Sequence, residues 1–143
     1  MQSALARGLL MALSLVLMSG PAVAHHGDAG RYEDTLTTVS GIVLEIQLLN
    51  PHSFLQLEAT EPNGRTVRWT GELGRPSNLR DWCWNEDAIK AGDRVTMVGR
   101  SRKNGQPYMS LSEEARVIDT NGKEIFRGNE PNQPREPGPC AVR

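Results

Sequence analysis

From Leu36 onward, apolar and polar residues alternate with a period of two, the pattern of half-buried strands. Ile42, Leu44, Ile46 and Leu48 share one face of a long first strand. Pro51 ends or bends it, because proline donates nothing to a ladder. In the second strand Leu55, Leu57 and Ala59 face one way, and Phe54, Gln56 and Glu58 the other. Pro62-Asn63-Gly64 is a hairpin signal. It leads to a third strand with Val67 and Trp69 inward and Arg68 and Thr70 outward. The alternation then stops. Gly74 to Trp84 reads as a loop or short helix containing Pro76-Ser77-Asn78-Leu79. Asn85 has N-cap chemistry, Glu86 and Asp87 suit a first helical turn, and Gly92 suits a C-cap. A fourth strand, Arg94 to Gly99, points Val95 and Met97 inward. After the Asn104-Gly105 turn, Tyr108 to Ile118 reads as strand five, and Asn121-Gly122 turns into a short last strand at 124–126. This order predicts an all-β fold, a small OB-like barrel of five or six strands with a short helix between strands three and four. A small sandwich is the rival.

The segments before and after this pattern differ from it. Residues 1–24 carry a basic start at Arg7, an apolar run from Leu9 to Met18 and Ala22-Val23-Ala24, an A-x-A cleavage site. They predict a signal peptide and a periplasmic or secreted protein that begins at His25. Residues 25–35 read as a polar, glycine-containing arm, 36–126 as the barrel, and 127–143 as a tail with Pro131, Pro134, Pro137 and Pro139, extended and poorly packed. No second apolar run is long enough to span a bilayer.

The formal charge is −1 over the 143 residues. It becomes −2 once Arg7 leaves with the leader. Such a chain lacks the basic stripe that nucleic acid requires, and its strands lack the stacking aromatics of a single-strand binder. Two cysteines, Cys83 and Cys140, predict one disulfide in an oxidising compartment. The alternative, a redox or metal pair, lacks the C-x-x-C spacing.

The chain has three histidines. Cleavage after Ala24 places His25 and His26 at the new N-terminus, and the third is His52, in Asn50-Pro51-His52. An N-terminal histidine chelates through its α-amine and Nδ1, and the amine deprotonates readily because its ordinary pKa is about 7.7–8.0. A further imidazole completes a three-nitrogen set suited to copper. The first reading is therefore copper held by His25 and His52, with His26 and Asp28 auxiliary. Zinc on the three histidines and a carboxylate such as Asp28 is the alternative metal. The plainer reading has His52 and Asn50 bonding backbone at a proline corner, and His25 and His26 as a solvated terminus.

The landmarks together resemble a family of small exported bacterial proteins of unknown function. They are Ala24-His25-His26, Asn50-Pro51-His52, Gly74-Arg75-Pro76-Ser77-Asn78-Leu79, Trp84, the Gly92-to-Gly99 strand and the Asn121-Gly122 turn. The resemblance covers residues 22–126 and implies export and a small barrel. It implies no activity. Gly27 stands where that family usually has Ser, and Cys83 and Cys140 lie outside its common pattern.

A second reading makes the chain a protein-interaction or small-ligand module without metal, with a periplasmic protein or small molecule as partner. Its surface would be Asn50, Pro51, Trp82 and Trp84. Trp82 and Trp84 flank Cys83, and the alternative is that they pack around the disulfide. Catalysis has little support, since Glu45, Glu58, Glu72 and Asp93 are spread over strands and turns without forming an acid pair.

Overall fold

Seven strands carry the period-two segments: β1 (Thr37–Gln47), β2 (Ser53–Thr60), β3 (Thr66–Leu73), β4 (Arg94–Ser101), β5 (Tyr108–Ser110), β6 (Arg116–Asp119) and β7 (Glu124–Arg127). Among the described residues one short helix, α1 (Pro76–Arg80), lies between β3 and β4. The structure is a computed structural model and describes residues 30–84, 88–134 and 137–140. The expected leader and its cleavage point, His25 and His26, Asp28, and the cap residues Asn85, Glu86 and Asp87 lie outside the described residues.

Strand pairing closes a five-stranded barrel. β1 pairs with β2, β2 with β3, β3 with β5, β5 with β4, and β4 returns to β1. Only the β3–β5 contact is parallel among these pairings. β6 and β7 extend the sheet from β4 outside the closure. This is the expected OB-like order, with the helix where the alternation stops. Pro76 opens α1, where its fixed φ suits a first turn, and Leu79 is its fully buried residue. Leu55, Leu57, Leu73, Met97, Met109, Leu111 and Val117 fill the interior.

The structure departs from the alternation in two strands. In β1 the buried residues are Val39, Gly41 and Val43, whereas Ile42 and Leu44 are only half-buried. The register against β2 shifts between Val43 and Glu45. That irregularity moves the inward face by one residue, so Ile46 and Leu48 again pack against the core. A single parity cannot hold along a strand interrupted in this way.

The expected fifth strand is two strands on one edge of β4. β5 pairs with Arg100 and Ser101, β6 with Val95 to Val98. Glu114, at φ +53°, stands in the break between them. Met109, Leu111, Ala115 and Val117 are all buried on both sides of it, which is why the segment reads as continuous.

The region around Gly92 is also different. Ala88 to Gly92 form turns, and Gly92, at φ +94°, donates its N–H to Val43 O at 2.9 Å. It shapes the entry to β4 and caps no helix. The tail, expected to be loose, returns to the body of the protein. Cys140 is bonded to Cys83, and its N–H donates to Asp81 O at 2.8 Å.

Candidate functional site

The β2–β3 hairpin sets up the site. Its partners lie at equal distances from Asn63, so Phe54 is opposite Glu72 and Ser53 opposite Leu73. Inward residues Leu55, Gly71 and Leu73 alternate with outward Phe54 and Glu72. On the other side of β3, Tyr108 of β5 is opposite Thr70. The β1–β2 turn supplies His52, which follows a cis Asn50–Pro51 peptide bond. Ser53, fully buried, anchors the end of that turn through its N–H to Gly74 O at 3.2 Å. His52 therefore lies on the Phe54 side of the sheet, beside Glu72.

Glu72 is the centre of the arrangement. Its Oε1 accepts a hydrogen bond from His52 Nδ1. Its Oε2 accepts from the Tyr108 hydroxyl and from the Tyr32 hydroxyl, the latter at 3.4 Å. Burial alone would raise its pKa, but the bonds from Tyr108, His52 and Tyr32 and the nearby His52 charge outweigh that and hold it below 4.5. The same carboxylate, together with burial, raises the Tyr108 hydroxyl well above the ordinary phenol range. The Arg102 guanidinium lies over the Tyr108 ring, 3.9 Å from its centroid.

This pairing decides what His52 can offer. An ionised carboxylate at Nδ1 requires the proton there, so a neutral ring keeps its lone pair on Nε2. The His52 side chain is 53% exposed, against 21% for Glu72. The result is an oriented imidazole on the surface, held as metal-ligating histidines are held by carboxylates in known sites. Among the described residues, no group of three His, Cys, Asp or Glu side chains is placed to hold a metal.

From Gly30 onward the arm is docked on the barrel. Tyr32 forms an antiparallel bridge with Arg102, Glu33 N–H donates to Ser101 O at 2.8 Å, and Lys103 N–H donates to Arg31 O at 3.0 Å. The arm thus runs along the end of β4 and places the Tyr32 hydroxyl on Glu72. The sequence reading singled out His52 but passed over Tyr32, Glu72, Arg102 and Tyr108. Glu72 was findable, since an alternating hairpin centred on Asn63 puts it outward and diagonal to His52. The Tyr32 and Arg102 contacts depend on barrel closure and on arm docking, which leave no local pattern.

The other expected site residues fall elsewhere. Asn50 and Pro51 are exposed in the β1–β2 turn. Trp84 is buried and donates its Nε1–H to Ile125 O at 2.7 Å. Trp82 is half-buried against the core, its ring 6.1 Å from that of Phe126. Both tryptophans therefore pack beside the Cys83–Cys140 disulfide.

Residues 12–109 match the model of a family of unknown function, DUF6152, and the chain belongs to that family. The match takes in Tyr32, His52, Glu72, Arg102 and Tyr108, and stops short of Cys140. Comparison with curated proteins and with solved structures gave no match.

Proposed function

We propose that this member of a family of unknown function is an exported binding module that holds a copper ion beside its β1–β2 turn. The ligands would be His52 Nε2 and, once the leader is removed after Ala24, the α-amine and Nδ1 of His25. His26 and Asp28 would be auxiliary. One observation carries the reading: Glu72 binds His52 with one oxygen and Tyr32, a residue of the arm, with the other. Tyr32 lies seven residues after His25, so the new N-terminus is tethered within roughly 25 Å of the Tyr32 backbone. His52 is bonded to the same carboxylate through Nδ1, which leaves Nε2 as its metal-binding nitrogen. Two imidazoles and an amine suit copper over harder cations. Zinc on the same histidines is the alternative metal.

The position on the fold agrees with this. OB-type barrels bind ligands on the face of strands two and three, between the loops that follow strands one and four. His52 lies in the first of these loops, Arg102 in the second, and Glu72 on the face between them. That agreement is an analogy of place and names no ligand.

The test is a copper(II) titration of protein that begins at His25, read by calorimetry and electron paramagnetic resonance. One tight equivalent with nitrogen hyperfine structure is expected. Retaining Ala24 as an additional first residue should weaken binding by at least about tenfold, because it converts the amine into an amide. His52→Ala should do the same. Binding indifferent to both changes would remove the proposal. The protein-interaction or small-ligand reading would then lead, with Leu49, half-exposed beside Asn50, Pro51 and His52, as its apolar contact.

A further inference from the structure

A second feature lies where the arm meets the β4–β5 turn. An open groove of about 370 Å³ is lined by Gly30, Arg31, Arg102, Lys103 and Asn104. Three of these five residues are cations, in a chain whose formal charge is −1. Arginine and lysine side chains donate hydrogen bonds and never accept them. Asn104 Oδ1 already accepts from Gln106 N–H at 3.1 Å, and its NH2 is a donor. Among the described residues, no carboxylate lines the groove. Its side-chain chemistry is therefore made of donors and positive charge, suited to acceptors and negative charge.

The groove is also built in advance. The antiparallel bridge of Tyr32 with Arg102 and the 3.0 Å bond from Lys103 N–H to Arg31 O set Arg31 beside Lys103. Stacking on Tyr108 and a 2.9 Å bond from one Nη to Gln106 Oε1 fix the plane of the Arg102 guanidinium. Its Nε–H is buried and has no hydrogen-bond partner among the described residues. A guanidinium held in place loses less freedom when it binds an oxyanion.

We infer that this groove is an oxyanion site, which takes the phosphate or carboxylate group of a small ligand. It does not depend on a metal at His52. Phosphate and carboxylate present the same chemistry to arginine, and the experiment separates them. Isotope-labelled, metal-free protein is titrated at low ionic strength with inorganic phosphate and, separately, with succinate, and backbone amide shifts are followed. The same is done with Asp28→Asn, which removes the acidic residue two positions before Gly30.

Saturable shifts centred on Arg31, Arg102, Lys103 and Asn104 are expected, in the native protein or in Asp28→Asn. Saturation by phosphate alone identifies a phosphate site; saturation by both probes identifies a general oxyanion site. Lys103→Gln and Arg31→Gln should each weaken it roughly two- to fivefold, and His52→Ala should leave it unchanged. No saturation by either probe, in either protein, overturns the inference. So do shifts spread equally over Arg65 and Arg68, far along the β2–β3 hairpin. Loss of the copper site with the anion site intact, or the reverse, tells the two readings apart.

Discussion

Glu72 carries two loads, and they can be separated by pH. The fold lowers its pKa below 4.5, so the native state favours the ionised carboxylate more than the unfolded chain does. A group of this kind contributes stability that is complete above the unfolded value. The contribution is lost as pH falls below 4.5 and through the lower folded value. Glu72→Gln removes the charge but keeps the shape. At pH 7 it should cost about 1–2 kcal/mol, as expected for losing hydrogen bonds to a charged acceptor. Urea unfolding from pH 7 down to pH 3 should show the native and variant proteins converging in the acid limb. Parallel curves across that range would mean that the carboxylate charge contributes nothing to the fold. The substitution also deprives His52 Nδ1 of its anionic acceptor, so copper affinity at pH 7 should fall with it.

At the scale of the element, β1 shows how far alternation can be read and where it fails. Its first half, Thr37 to Ile42, pairs with β4, and its second half, Ile42 to Gln47, with β2. Gly41 lies just before the change of partner. A Cβ there would come within 2.5 Å of the Glu58 carbonyl oxygen, which is backbone and cannot rotate away. Gly41→Ala should therefore force β1 and β2 apart and destabilise by about 1–3 kcal/mol, in the range of overpacked cores. A midpoint in urea indistinguishable from the native one would show that the strand yields without cost. Strands β2, β3 and β4 were legible from alternation alone, because Leu55, Leu57, Val95 and Met97 keep one parity throughout. β1 was not, since its register shift exchanges the two faces. Nor was the break between β5 and β6, because the buried residues continue across it in phase. His52 could be picked out by its place after Asn50-Pro51. Tyr32 and Arg102 meet the site only through the arm and the β4–β5 turn, which are remote from it in sequence.

At the scale of the molecule, the Cys83–Cys140 disulfide joins segments 57 residues apart. Everything from β4 to β7 lies within the loop it closes. In the chain-entropy picture a loop of that length is worth about 4 kcal/mol, because the cross-link restricts the unfolded chain more than the folded one. The native contacts reduce what the bond must do by itself. Cys140 N–H is held by Asp81 O, and Gly138 is packed so close to that carbonyl that a Cβ would lie 2.3 Å from it. The tail is therefore docked by backbone as well as by sulfur. Replacing both cysteines with serine should lower the unfolding free energy by about 2–4 kcal/mol. It should also raise the urea m-value, since the uncrosslinked unfolded chain is more expanded and exposes more surface. Amide shifts of Tyr32, Glu72 and Tyr108 should stay in place, because their mutual bonds run through β3, β5 and the arm and never through the tail. A lower midpoint with an unchanged m-value would assign the loss to the folded state, through disturbed packing of Trp82 and Trp84, and would refute the chain-entropy account for this bond.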